Sequence, residues 1–291
     1  MTSSVDKNFR KVRFLGRPLR RRSSAVDRLM TYNETAKRMS QDPVVIFSMG
    51  KTGTTSLTQA IAATTSRPVV KAHALSKDGL GRRFATEARL NVQTRPRYLW
   101  QCEQIARSLK GDGRWTLLCG VRDPIAIAVS GHFYGLARQG ATGQQPWMIG
   151  DVEDHAHAIA QTVEKNIERD WFREELKPST GIDVYSTGFP TNVGVQTLEN
   201  GKFSALILRA EDLDAAGPDA VARHLGHDVP IPIARENTAR SSTSSPYDRF
   251  CAEGQLPEDV VVAAYETEMA RHFYSPTELE TFRARWTGAL S

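Results

Sequence analysis

The chain is predicted to be an α/β protein, a P-loop-like, mostly parallel sheet with helices on both faces. Three observations predict it. Short apolar runs recur at Val44–Phe47, Val69–Lys71, Leu117–Val121 and Ala205–Leu208, and the first is β-branched or aromatic on both alternating faces, as in a strand buried from both sides. Two of these runs lead directly into a turn and a helix start, so strand and helix alternate. With 291 residues, 40% of them hydrophobic, the chain is long enough to bury the core of one large α/β domain.

The first 26 residues are expected to form a basic tail, and 27–291 a single domain. Residues 1 to 25 hold Lys7, Arg10, Lys11, Arg13, Arg17, Arg20, Arg21 and Arg22 against Asp6, a balance of +7, which leaves −2 of the overall +5 for the rest. Such a tail suits anionic lipid, nucleic acid or an acidic glycan, and equally a solvated extension. Phe9 and Phe14 are its only aromatic residues, too sparse for a nucleic-acid-binding module. Peripheral membrane contact stays open. From Asp27 to Met39 a short helix is expected before the first strand.

The segment Val44 to Leu57, VVIFSMGKTGTTSL, is built to hold a phosphate-type group. A strand feeds a turn in which Gly50 and Gly53 let backbone N–H groups converge. Thr54, Thr55 and Ser56 add hydroxyl donors where a helix, Thr54 to Thr64, begins with its positive dipole end. Lys51 supplies a full charge. Gly50, Lys51 and Thr52 match the end of the nucleotide-triphosphatase pattern, but the first glycine of that pattern falls on Val45, so the match fails. The alternative is an ordinary turn rich in small residues.

Next, RPVVKAHAL (Arg67 to Leu75) forms a short strand delivering His73 near its carboxyl end, beside the other strand ends. An imidazole titrates near neutrality and suits proton abstraction from a hydroxyl. A polar stretch near Ser76 to Arg97 suits a loop or short helix, and Gln101 to Leu109 a helix.

WTLLCGVRDPIAIAVSGHFY (Trp115 to Tyr134) is a buried strand ending in Arg122, then Asp123 and Pro124, then a helix start carrying Ser130. Ligands of open α/β sheets bind at strand carboxyl ends, where an arginine fork grips phosphate. Pro124 fits a first helical turn. Ser130 follows Arg122 by eight residues, about two turns on, within reach of the same phosphate. The alternative pairs Arg122 with Asp123 and leaves Ser130 on a helix surface.

These three pieces resemble the sulfotransferases that use 3′-phosphoadenosine 5′-phosphosulfate (PAPS). The Lys51 to Ser56 loop is similar to their 5′-phosphosulfate loop, Lys-x-His ending in His73 to their catalytic-base segment, and Arg122-Asp-Pro followed by Ser130 to their 3′-phosphate element. Further on, WFREELKPSTGIDVY (Trp171 to Tyr185) and FSALILRAEDLD (Phe203 to Asp214) resemble a bacterial, sulfotransferase-like family of capsular-polysaccharide-synthesis proteins. Members close with an Asn-containing loop carrying a basic residue and then Tyr. Arg235, Asn237, Arg240 and Tyr247 stand in a comparable place, although Ser241 to Ser245 interrupts the spacing.

The resemblance implies a PAPS-dependent sulfotransferase with His73 and Lys51 catalytic. The co-substrate would be held by Lys51, Thr52, Gly53, Thr54, Thr55, Ser56, Arg122, Ser130 and Arg240. No metal is expected. The acceptor would be a hydroxyl of a carbohydrate, cell-envelope precursor, lipid or small molecule. A magnesium-dependent small-molecule kinase and a non-catalytic glycan- or lipid-binding protein of the same fold are the other readings.

The remaining segments are less informative. Gly135 to Gly150 is expected to be an exposed loop and Asp151 to Leu176 helical. Within it His155 and His157, two apart, point to different faces and do not form an i, i+4 metal pair. Pro257 to Arg271 and Pro276 to Trp286 read as two terminal helices. Cys102, Cys119 and Cys251 have no metal-ligand spacing and read as reduced thiols of a cytoplasmic protein. No run is apolar enough to span a bilayer, and the first thirty residues lack a signal-peptide centre. Oligomeric state has no signal in the sequence.

Overall fold

The computed structural model describes residues 25–89, 96–140, 151–234 and 245–288. The elements run α1 (Ala25–Met39), β1 (Val44–Phe47), α2 (Thr54–Thr64), β2 (Val69–Ala72), α3 (Lys77–Arg89), α4 (Pro96–Ser108), β3 (Trp115–Val121), α5 (Pro124–Gly140) and α6 (Val152–Asn166). A π-helical turn (Phe172–Leu176) leads into α7 (Lys177–Thr180). Then come β4 (Val195–Asn200), β5 (Phe203–Arg209), α8 (Gly217–Leu225), α9 (Pro246–Glu253), α10 (Glu258–Tyr265), α11 (Glu268–Phe273) and α12 (Pro276–Thr287). Nearly all of the basic tail, together with Arg235, Asn237 and Arg240, lies outside the described residues.

One five-stranded sheet, ordered β2-β1-β3-β5-β4, organises the chain. Its first four strands are parallel, and only β4 runs antiparallel, against β5. The strand side chains sort by alternation into two cores. On one face Val45, Phe47, Leu117, Cys119, Val121 and Ile207 pack with Ile105 of α4, Val129 of α5, Ile159 of α6, Val261 of α10 and Trp286 of α12. On the other, Val44, Ile46, Leu118, Leu206 and Leu208 meet Leu57 and Ile61 of α2 and Val221 of α8. Burial on both sides is why β1 and β3 read as unbroken apolar runs rather than alternating ones.

Four segments depart from expectation. Ser76–Arg97 was expected to be a loop or short helix, but α3 runs for 13 residues, with the Ser76 hydroxyl accepting the Gly79 N–H (3.0 Å) as an N-cap does. Gly135 to Gly140 continues α5 instead of opening a loop. Helix α6 stops at Asn166, and Asp170 restarts the chain by accepting the N–H groups of Phe172 (2.9 Å) and Arg173 (3.2 Å). The 257–271 segment is two helices, because Thr267 caps a new one by accepting from Ala270 N. Four elements had no counterpart in the reading of the sequence: α7, β4, α8 and α9.

Candidate functional site

The chain leaves β1 to form β2 on one side and returns to form β3 on the other, so the sheet changes winding direction between the carboxyl ends of β1 and β3. That switch point is where open α/β sheets leave a crevice. Both predicted anion loops open from it. Parallel pairing of β1 with β3 stops at Ile46↔Leu118, and the hydroxyl of Ser48 supplies the next rung. It accepts from Gly120 N and donates to Gly120 O, both at 3.0 Å. The β1 backbone thereby peels away into the loop while β3 continues to Val121.

Within the loop Lys51 adopts φ 70° and Gly53 φ 78°, so the chain turns back sharply and starts α2 with Gly53 as a left-handed N-cap. Left-handed backbone is uncommon for a residue with a Cβ and collects at functional sites. Gly53 makes no side-chain cap, which leaves the Thr54 and Thr55 amides of the first turn facing the loop. Thr52 lies otherwise than the sequence suggests. Its hydroxyl is turned inward, within donating distance of Met49 O (3.0 Å) and Ser48 Oγ (2.7 Å), so any contact with an anion must come from its backbone. Thr54 and Ser56 are buried and Thr55 is half-buried.

Lys51 Nζ lies 4.1 Å from the ring centroid of Tyr134, an α5 residue that the sequence did not single out. Burial holds the Lys51 ammonium below the ordinary lysine value; Arg122 adds to this, and Tyr134 opposes it.

Arg122 faces the same loop. Its Nη1 donates to the Lys51 carbonyl at 3.0 Å, so the cations of the two loops share one crevice. The expected alternative, pairing with Asp123, does not occur. Asp123 is buried, accepting Ile125 N–H (2.9 Å) and Tyr265 O–H (2.9 Å) on Oδ1 and Trp286 Nε1–H (3.1 Å) on Oδ2. Burial raises its pKa, and these donors pull the other way. Among the described residues no carboxylate pairs with Arg122. Tyr247, on α9, stands beside it: burial pushes the phenol up and the guanidinium lowers it. Ser130 is half-buried two turns into α5 and makes no hydrogen bond to Arg122. Arg240 lies outside the described residues.

His73 follows β2, the strand next to β1. Its Nδ1 is 2.6 Å from the Ser48 carbonyl, an oxygen that only accepts, so Nδ1 carries the proton and in the neutral ring the lone pair sits on Nε2. Its backbone N–H donates to Tyr98 Oη (2.8 Å), and its carbonyl accepts from Trp171 Nε1 (3.0 Å). No sequence signal identifies Ser48, Tyr98 or Trp171 for these roles, since each acts across 25 or 98 residues of chain.

His155 is buried and shares a hydrogen bond with His132 (3.0 Å), whereas His157 is exposed against Gln161 (2.8 Å). Among the described residues no group of three or more His, Cys, Asp or Glu is arranged to hold a metal ion. Among them, too, no helix is long and apolar enough to cross a membrane. Cys102 and Cys119 are buried free thiols, and burial lifts Cys102 to about 11.

Residues 151–275 match the model of the NKWYS family, described as "Putative capsular polysaccharide synthesis protein". The match covers less than half of the chain, from the N-cap of α6 to that of α12, and so includes Trp171, Tyr247 and Tyr265 but neither anion loop. No curated protein and no solved structure matches the chain.

Proposed function

We propose that the protein transfers a sulfuryl group from PAPS to a hydroxyl of a carbohydrate acceptor. The observation that carries this reading is the convergence of Lys51 and Arg122 at the sheet's switch point, two cations from separate loops, with no carboxylate partner for the arginine among the described residues. A ligand with anionic groups at two positions fits that pair. The capsular-polysaccharide description of the family matching residues 151–275 supports a carbohydrate acceptor.

In this reading the amides of the 51–55 turn and Lys51 hold the 5′-phosphosulfate. Arg122 holds the 3′-phosphate, with Ser130 on the next helix assigned to the same phosphate, and Arg240 to the co-substrate, by resemblance. PAPS supplies an activated sulfur whose bond to the bridging phosphate oxygen breaks as the acceptor oxygen bonds to it. His73 Nε2 takes the acceptor's proton, and the Ser48 carbonyl on Nδ1–H stabilises the imidazolium that results. Lys51 meets the negative charge left on the departing phosphate oxygen. Asp123, next to Arg122 in the chain, has its carboxylate enclosed by three donors, which leaves it poorly suited to holding a magnesium ion.

Thermal unfolding with adenosine 3′,5′-bisphosphate, against ATP with magnesium, tests the reading. At a hundredfold over its dissociation constant the bisphosphate should stabilise the protein by about 2.7 kcal/mol. Arg122→Ala should abolish that shift. Stabilisation by ATP with magnesium alone, or a bisphosphate shift that survives Arg122→Ala, would instead favour a kinase.

A further inference from the structure

We propose that Glu175 is a positioning residue for His73: its carboxylate fixes the backbone of residues 75–76, and with it the imidazole's seat on the Ser48 carbonyl. The proposal rests on the reading of His73 as the base. Glu175 belongs to the π-helical turn, an irregularity that recurs at functional sites. Its residue is only 4% exposed, yet no cation pairs with it among the described residues. A carboxylate buried in this way is costly unless backbone donors replace water. Oε2 accepts the N–H groups of both Leu75 (2.9 Å) and Ser76 (3.0 Å).

Ser76 caps α3, so the carboxylate also lies at that helix's positive end. Opposite it stands Gly79, where an added Cβ would come within 1.6 Å of Oε1; the glycine makes room for the acid.

Trp171, at the N-cap of the same turn, completes the clamp. Its indole donates to the His73 carbonyl, and its ring packs edge-on against Phe47, the last residue of β1 (centroids 4.7 Å). Phe47 precedes Ser48, whose carbonyl receives His73 Nδ1. One turn therefore grips both partners of the Ser48–His73 hydrogen bond, from Trp171 on one side and Glu175 on the other. Chain from the family-matched half thus orients a base delivered by the other half.

The test combines ¹⁵N–¹H long-range NMR of the His73 ring with kinetics on Glu175→Ala, Glu175→Gln and Trp171→Phe. Glutamine keeps an acceptor oxygen for both amides. It should retain the wild-type spectrum, with Nδ1 protonated. Glu175→Ala should give a mixture of tautomers and, with an acceptor that wild type uses, lower kcat by about 100-fold while the KM for PAPS stays within twofold. Trp171→Phe keeps the ring on Phe47 but removes the donor, so it should shift the tautomer ratio in the same direction. It decides the matter if Glu175→Ala does not fold. Unchanged His73 spectra in folded Glu175→Ala and Trp171→Phe overturn the proposal. If wild type transfers sulfate to no acceptor, the functional reading fails while the NMR comparison still decides the positioning role.

Discussion

Lys51 combines a left-handed backbone, a partly desolvated ammonium and a second cation close by, and a bound polyanion would relieve the latter two together. Because its pKa in the free protein lies below the ordinary 10.5, the ammonium deprotonates at a lower pH than an exposed lysine would. A bound phosphate stabilises the charged form. Affinity for adenosine 3′,5′-bisphosphate should therefore fall as pH rises through that lowered value, with proton uptake on binding in the same window. Calorimetry in buffers of different ionisation enthalpy measures both, and affinity unchanged through pH 10.5, the ordinary lysine value, would remove Lys51 from the site. Lys51→Ala should slow transfer by about 10²- to 10³-fold, the usual effect of losing a donor aimed at developing charge. Neither His73's tautomer nor the inward turn of the Thr52 hydroxyl is legible in sequence. A Thr in such a loop reads as a ligand donor whichever way it faces, and only the proximity of Ser48 and Met49 turned it inward.

At the scale of elements, the crevice exists because β1 ends earlier than β3, and Ser48 bridges the difference. Ser48→Ala leaves the buried Gly120 N–H without its partner and should lower stability by about 1 to 3 kcal/mol in urea unfolding. It should also weaken bisphosphate binding, since the loop loses its fixed edge. A variant as stable as wild type would show that the rung is dispensable. Strand β4 shows a different kind of miss. Its residues are mostly half-buried or exposed, so no apolar run marks it, but Asn200-Gly201 is a hairpin signal, and Gly201 has φ 54° in the two-residue turn to β5. Helix α8 was similarly readable from Gly217-Pro218 at its start and Gly226, φ 76°, at its stop. Those signals are local turn chemistry, and apolar periodicity does not reveal them.

Across the whole molecule, Asp123 fastens the carboxyl end of β3 to α10 through Tyr265 and to α12 through Trp286, while its N–H donates to Glu211 (3.0 Å) after β5. Burial raises the pKa of both acids. The folded state then holds more protons than the unfolded chain above pH 3.8, so their contribution is fullest at acid pH and is lost as pH rises through the raised values. Asp123→Asn sets an amide N–H₂ against the Trp286 donor. It should cost about 1 to 3 kcal/mol at pH 5 and flatten this part of the stability profile, as denaturant titrations at several pH values would measure. Removal of residues 1–24 takes away the +7 segment and leaves a chain of net −2. The composition of this segment predicts a solvated extension, so the shortened protein should keep its melting temperature within about 1 °C. A larger loss would tie the basic segment to the fold.

By itself the sequence determined the sheet's buried strands, the helices that follow the two anion loops, and the residue types offered for anion binding, because these depend on apolar runs, caps and charges within a few residues of one another. Only the tertiary structure decided that Arg122 turns to Lys51 and not to Asp123, that Asp123 belongs to the core, and that His73 is held from three elements. Those outcomes follow from contacts between segments 25 to 163 residues apart, where shape and hydrogen-bond satisfaction choose among partners that local pattern leaves equivalent.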